Sequence, residues 1–221
     1  MTLAKVGLPR PTLHRLPIYY RRLRQAVDEG TAYLSSADLA QSADVSEAQV
    51  RKDFSHLELE GRSGVGYDAK QMAAYLEEFL GLTNDKEAVL VGVGNLGRAL
   101  ALFPGFTRYG LNIVACFDSD PLKVGQTVGE CEVLPVARLP DLAQRLHIRM
   151  GIITVPAEAA QEVADLMIEG GIRVIWNFAP CRLRVPEGTL VQNEDLAAQL
   201  ATLSHLIAQR KLSAQTAEKQ G

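Results

Sequence analysis

Hydrophobic positions change their period partway along the chain. Up to about residue 80 they recur at helical spacing, and from Ala88 onward they come in short runs. Leu16, Tyr19, Tyr20, Leu23 and Val27 fall on one helical face, and Gly30 after Asp28-Glu29 supplies a stop. Pro17 sits inside this pattern, which predicts a helix beginning close to it, since proline is tolerated best in a first turn. A second short helix is predicted over "SSADLAQSA" (35–43), capped by Ser35 or Ser36. A third starts at Ser46, where "SEAQ" puts Gln49 at capping-box spacing. Two short helices joined by a tight turn have the shape of a helix-turn-helix.

In the third helix Val50, Phe54 and Leu57 should face the core. Gln49, Lys52 and His56 form another stripe, with Arg51 and Ser55 beside it. The glycines of "EGRSGVGY" (60–67) favour a tight hairpin with Arg62 at its tip. A helix over "AKQMAAYLEEFLGL" (69–82) closes this half, and "TNDKE" (83–87) is the natural boundary.

Beyond it the pattern is strand, turn, helix, repeated. "AVLVGVG" (88–94), "LNIVACFDSD" (111–120), "MGIITVP" (150–156) and "IRVIWNFAP" (172–180) read as strands. "NLGRALALF" (95–103) and "AEAAQEVADLMIEG" (157–170) read as helices. Near-continuous apolar strands alternating with helices imply a parallel sheet covered on both faces, an α/β architecture. A final amphipathic helix is predicted from about Asp195 to Leu212, followed by a polar, disordered tail.

The stretch "VGVGNLG" (91–97) follows a buried strand and opens a helix, the context a dinucleotide-binding turn requires. There Gly92 allows the turn, Gly94 lets a pyrophosphate approach the backbone and Gly97 lets the helix pack on the strand. Amide groups at the helix start favour phosphate charge. Asp118, at the end of the next strand, can accept from ribose hydroxyls and would repel a 2′-phosphate, which favours NAD(H) over NADP(H). A turn with nothing bound, or one that holds coenzyme A, fits the same glycines.

Length and composition narrow the uses of such a site. The 221 residues suit two modest domains, and 47% hydrophobic with 22% charged residues is ordinary for a globular chain. No apolar run reaches the roughly 18 to 20 residues that span a bilayer, and the basic start lacks a signal peptide's apolar segment, so the expected location is cytoplasmic. Cys116, Cys131 and Cys181 are scattered, as reduced thiols would be, and suggest neither a disulfide framework nor a metal site. Of the histidines, His14, His56, His147 and His205, none follows a strand end of the α/β half. With a helical module in the remaining residues there is no substrate domain, so no catalytic residue is assigned.

A net charge of −3 argues against coating nucleic acid, although Lys5, Arg10, Arg15, Arg21, Arg22 and Arg24 precede any acid. A helix-turn-helix with a glycine hairpin suggests a winged helix bound to double-stranded DNA. Its third helix would enter the major groove with Gln49, Lys52, Ser55 and His56 near bases or phosphates. Arg51 and Lys52 would contact phosphates, and Arg62 on the wing would reach a minor groove. A helix that only meets another protein has the same pattern.

A family resemblance discriminates between these. "RLPIYYRRL" (15–23), "SSADLA" (35–40), "QVRKDFS" (49–55), "GRSGVGY" (61–67), "GVGNLGRAL" (92–100), "PGF" (104–106), "FDSDPLKVG" (117–125), "TVP" (154–156) and "NFAP" (177–180) resemble, in order, the motifs of Rex, the redox-sensing transcriptional repressors. The resemblance runs from about residue 11 to 210. It implies an N-terminal winged helix-turn-helix domain (1–82), a Rossmann-like domain (86–193), a C-terminal helix (194–212) swapped between the subunits of a homodimer, and a tail (213–221). It implies a palindromic operator from which NADH, competing with NAD+, releases the protein.

By position it makes Arg51, Lys52 and Arg62 contacts to DNA. It puts Gly92, Gly94, Asn95, Leu96 and Gly97 at the pyrophosphate, Asp118 at the ribose, and Thr154, Val155, Pro156, Asn177, Phe178, Ala179 and Pro180 toward the nicotinamide, with Lys123 also among the cofactor-binding residues. Arg15, Arg21, Phe103 and Asp195 become candidates for an interdomain switch. The chain departs from the family pattern in three places. "HLELEG" (56–61) stands for the usual "YFGEFG", Phe103 for a tyrosine, and "NEDL" (193–196) for "NVDF" or "NVDL", which places Leu196 where an aromatic could shield the nicotinamide. The rival reading is a small NAD-dependent oxidoreductase or coenzyme A-binding protein whose helical half only dimerises.

Overall fold

A computed structural model describes residues 7–82 and 86–195, and beyond these residues 197, 198, 200, 201, 203, 204 and 207. The chain divides into two compact units, Met1–Asn84 and Asp85–Gly221.

The first unit contains α1 (Arg10–Asp28), β1 (Tyr33–Leu34), α2 (Ser36–Ala43), α3 (Glu47–Ser55), β2 (Tyr67–Asp68) and α4 (Ala69–Phe79). The buried stripe of α1 is Thr12, Leu16, Tyr19, Tyr20, Leu23 and Ala26, so Ala26 rather than Val27 closes the face. Pro17 lies in the helix interior, contrary to the expectation that the helix starts near it, and Pro11 occupies the first turn instead. Tertiary anchoring offsets the missing backbone bond. Thr12 and Arg15 before the proline, and Tyr19 after it, all bind one carboxylate on α3, Asp53.

Of the two candidate caps of α2, Ser35 is the one used, in a reciprocal capping box with Asp38. Ser46 caps α3 by accepting from the Gln49 amide, but the Gln49 side chain does not reach back. It donates to Asp53 at 2.9 Å, so the box is only half formed. Val50, Phe54 and Leu57 are buried as the periodicity requires, and Phe54 is held edge-on between Tyr19 and Tyr67.

The end of α3 is a Schellman turn. The Leu59 amide donates to Phe54 O at 3.0 Å, the Glu58 amide to Ser55 O at 3.1 Å, and Glu58 takes φ 56°. Glycine is the usual occupant of this position because a Cβ is strained there. Glu58→Gly should therefore stabilise this unit by about 0.5–1 kcal/mol once the extra freedom of glycine in the unfolded chain is discounted. Urea melts of the two proteins would measure it.

β1 and β2 pair antiparallel, and Arg62 pairs with Gly66 across the hairpin. The tip is therefore Ser63-Gly64-Val65, and Arg62 lies at its base rather than its tip. Gly66, at φ 108°, has no room for a side chain, because a Cβ would stand 2.3 Å from Leu34 O.

The second unit is a seven-stranded sheet covered by helices. Its strands are β3 (Lys86–Val91), β4 (Leu111–Asp118), β5 (Thr127–Val128), β6 (Cys131–Pro135), β7 (Met150–Ile153), β8 (Val174–Asn177) and β9 (Leu190–Asn193). Its helices are α5 (Asn95–Ala101), α6 (Leu139–Arg145) and α7 (Ala157–Glu169). The order is β5-β6-β4-β3-β7-β8-β9, with every neighbour pair parallel except β5 and β6. Strand order reverses between β3 and β7, the switch point at which open parallel sheets bind ligands. Val89, Val91, Phe117, Ile153 and Ile175 pack on one face, and Leu90, Cys116, Val133 and Ile152 on the other. The sequence pattern did not show β6 or β9. β6 buries only Val133 and ends on a proline, and β9 is largely exposed, so neither leaves a buried run. The described residues between 197 and 207 are helical and begin the expected C-terminal helix. Leu196, His205, the rest of that helix and the tail at 213–221 lie outside the described residues.

Candidate functional site

The turn after β3 is built for close approach. A Cβ on Gly97 would stand 1.9 Å from Gly92 O, and one on Gly92, at φ 99°, would stand 2.7 Å from Val155 Cγ1 and 2.8 Å from the Thr154 carbonyl carbon. A Cβ on Gly94, in contrast, would meet nothing within 4 Å. Two glycines close the turn against the protein, and the third faces open space. Thr154, directly after β7, locks the arrangement, its one hydroxyl proton shared between Gly92 O at 2.7 Å and Val91 O at 3.0 Å.

These residues border a cleft of about 640 Å³. Gly92, Gly94, Asn95, Leu96, Asp118, Lys123, Thr154, Val155, Pro156 and Phe178 all line it. Gly97, Asn177, Ala179 and Pro180 are not among its lining residues, and Gly97 instead packs against the Gly92 carbonyl. Asn177 is fully buried and turns its amide inward, donating to Ala179 O, Cys181 O and Asn193 Oδ1 while accepting from the Ala179 amide. Its geometry shapes the loop that presents Phe178. Sequence reasoning missed Val136 and the α7 stripe of Ala159, Glu162, Val163 and Leu166 on the opposite wall. That i, i+3, i+4, i+7 spacing was visible, but it was absorbed into the helix face expected to cover the sheet.

Asp118 is buried at the cleft rim. Its carboxylate accepts from the Val93 amide at 2.7 Å, the Asp120 amide at 2.9 Å and Lys123 Nζ at 3.0 Å. Burial works to raise its pKa, but the Asp120 amide, Lys123 and the Val93 amide outweigh that and hold it below the usual carboxylate range. A stable anion therefore faces the cleft, beside a half-buried cation. Among the described residues no histidine lines the cleft.

In the first unit, Arg51, Lys52 and Ser55 are exposed on α3 and His56 is half-buried. A groove of about 870 Å³ runs between Ser36, Arg51 and Ser55 on one side and the hairpin on the other. Arg51 donates to Ser36 Oγ at 3.1 Å and to Glu47 at 3.2 Å, exposed contacts of little energy that a phosphate can replace. Arg62 donates to the Tyr33 hydroxyl at 2.9 Å with its guanidinium over that ring. Gln49 is held on Asp53 and does not extend from the stripe expected of it.

Asp53 is the feature that sequence missed here. It is fully buried and accepts from Thr12, Arg15, Tyr19 and Gln49. Burial alone would raise its pKa, but the hydrogen bonds, led by that from Arg15, hold it at about 2. Of the two arginines expected at a switch, Arg15 is thus committed to Asp53 by a pair at 2.6 Å. Arg21 is exposed. Phe103 is 55% exposed and Asp195 accepts from the Ala198 amide at 2.9 Å.

A Rossmann-like parallel sheet with a glycine-lined cleft at its switch point, carried with a winged helix, defines a dinucleotide-binding regulator of DNA. The comparisons agree on both halves. The family described as "Putative DNA-binding protein N-terminus" matches residues 7–55, and "CoA binding domain" matches residues 83–181. The redox-sensing transcriptional repressor Rex of Chloroflexus aurantiacus is 40% identical over 203 residues, 92% of this chain and 96% of that protein. The Rex of Desulfitobacterium hafniense is 42% identical over 204 residues, 92% of this chain and 97% of its own length. Among solved structures, the Rex-family repressor RSP in complex with NAD+ and operator DNA superposes with a TM-score of 0.86 at 31% identity, covering 95% of this chain and 96% of that one. RSP in complex with NADH gives 0.85 at 30% identity, covering 95% and 98%. The chain belongs to the Rex family of redox-sensing transcriptional repressors.

Proposed function

We propose that this protein binds a palindromic operator as a homodimer and leaves it when NADH occupies the cleft. It acts as a sensor and consumes neither form of the dinucleotide. The observation that carries this reading is the cleft itself: a glycine facing open space at the turn and a stabilised carboxylate at the rim, in a chain similar along both units to a repressor seen with NAD+ on DNA and with NADH.

Gly92, Gly94, Asn95 and Leu96 would border the pyrophosphate, with Gly97 serving it by letting α5 pack closely on the turn. Asp118 and Lys123 would border the adenine ribose, and Thr154, Val155, Pro156 and Phe178 the nicotinamide. Asn177, Ala179 and Pro180 serve the site by fixing Phe178. The neutral ring of NADH suits the apolar wall of Val155 and Phe178 better than the cationic ring of NAD+, since a charge is costly to desolvate. On DNA, Lys52, Arg51, Ser55, His56 and Arg62 form the contact surface, with Gln49 available only if it leaves Asp53. Glu58 and Glu60 flank that surface and oppose binding to DNA in general. Arg21, rather than Arg15, is the arginine available to Asp195 in a subunit switch. The C-terminal helix, with Leu200, Leu203 and Ile207 exposed, is the segment suited to a second copy.

The protein has one tryptophan, Trp176, and its ring lies 4.9 Å from that of Phe178 on the cleft wall. Titrating its emission with NADH, NAD+ and coenzyme A should show both dinucleotides binding and coenzyme A failing to compete. Saturation by coenzyme A alone would instead support the rival reading. In gel shifts, Lys52→Glu should weaken binding to every DNA sequence about equally and reduce its dependence on salt, while leaving the NADH titration unchanged. Unaltered DNA binding would remove α3 from the interface.

A further inference from the structure

Phe103 and Asp195 are distant in sequence, yet Trp176 leads to both, through Phe106 to the first and through Glu194, its neighbour in the chain, to the second. Trp176 on β8 and Phe178, just beyond its end, pack against the same face of the sheet. Phe178 lines the cleft, and Trp176 packs on it at 4.9 Å between ring centroids. The indole then meets Phe106 at 5.5 Å, and Phe106 meets Phe103 edge-on at 5.1 Å. Phe103 itself is more than half exposed. A continuous aromatic row thus runs from the cleft wall to the surface.

The same indole has a polar arm. Its Nε1–H donates to Glu194 Oε1 at 3.2 Å, an oxygen that also accepts from Gln192 Nε2 at 3.3 Å. The Glu194 amide donates to Asn177 O at 2.8 Å, and the next residue, Asp195, caps the first turn of the C-terminal helix through the Ala198 amide. Packed rings and a hydrogen bond to a charged acceptor do not stretch freely. A shift of Phe178 therefore moves the indole, and the indole moves both the row toward Phe103 and the residue that starts the helix.

We propose that Trp176 is a positioning residue that couples cleft occupancy to the C-terminal helix through its hydrogen bond to Glu194. The inference rests on the dinucleotide-released repressor reading above. It makes Glu194, which touches neither ligand in that reading, a determinant of the response.

The test uses the full-length protein and four versions of it: wild type, Trp176→Phe, Glu194→Leu and Glu194→Gln. NADH affinity is read from the nucleotide's own fluorescence, and operator affinity is measured with and without saturating NADH. Trp176→Phe keeps an aromatic ring but loses the donor, and Glu194→Leu loses the acceptor. Both should bind NADH and operator separately as wild type does. The NADH-dependent loss of operator affinity, about 5–150-fold for a coupling of ordinary size, should collapse in both. Glu194→Gln retains an accepting oxygen and should keep the loss. Full NADH release in Trp176→Phe and Glu194→Leu overturns the inference, as does a Glu194→Gln protein that behaves like Glu194→Leu. The wild-type arm separates the two claims: a wild type that NADH does not release contradicts the proposed function, whereas release in every version contradicts only the role of Trp176.

Discussion

Replacing Asp53 with alanine should cost the N-terminal unit about 3–5 kcal/mol, because it leaves the Arg15 guanidinium half-desolvated and without its partner. Four side chains from α1 and α3 converge on this carboxylate, so its loss also frees α3 to rotate against α1. Operator binding should fall with stability, while NADH binding in the other unit should survive. Thermal melts paired with NADH titration would resolve the two effects. A pH dependence of defined sign accompanies it. Asp53 titrates at about 2 when folded against an ordinary 3.8, so its contribution is fully present above 3.8 and is lost as the pH falls toward 2. The variant should lack that part of the acid loss. An Asp53→Ala protein as stable as wild type would show the network to be dispensable.

The second large effect belongs to the glycine turn, where two substitutions of equal size should differ in kind. A methyl group on Gly97 has to displace the Gly92 carbonyl, so Gly97→Ala should separate α5 from β3 and destabilise the second unit by about 1–3 kcal/mol. Dinucleotide binding should be lost with it, leaving an operator-bound protein that ignores NADH. Gly94→Ala meets no protein atom within 4 Å and should melt as wild type does, yet bind NADH more weakly because the methyl occupies the pyrophosphate's approach. Calorimetry on both variants checks the distinction. Equal dinucleotide affinity in Gly94→Ala and wild type would move the phosphate away from this turn.

What could be read from sequence follows from how many residue types each position accepts. Gly92, Gly97 and Gly66 sit where a Cβ collides, so their presence carried backbone geometry directly. The faces of α1 and α3 were legible because Leu16, Tyr19, Val50 and Phe54 repeat at the helical period. Asp53 was not, since a charged residue within a polar helix reads as solvent-facing until its three partners on α1, which lie 34 to 41 positions earlier, are folded beside it. Arg15 was misjudged for the same reason, as the bond that claims it is tertiary. Gln49 is instead claimed by an i,i+4 bond to Asp53 on its own helix, which becomes visible only once Asp53 is known to be buried. Arg62 was displaced from the hairpin tip by a register of one pair, which glycine spacing alone does not determine. Asn177 belongs to a motif whose residues look equivalent in sequence, yet strand alternation sends it inward and Phe178 toward the cleft. The far wall, from Glu162 to Leu166, stayed hidden because a helix face that packs on a sheet and one that borders a cleft share one period.

The central claim is that cleft occupancy by NADH opposes DNA binding. The most direct measurement is a titration of the operator-bound protein with NADH and, separately, with NAD+, at fixed salt. The account predicts that NADH weakens operator affinity by about 5–150-fold, while NAD+ at equal occupancy leaves the complex in place. Operator affinity that is indifferent to both, or lowered equally by both, would contradict it.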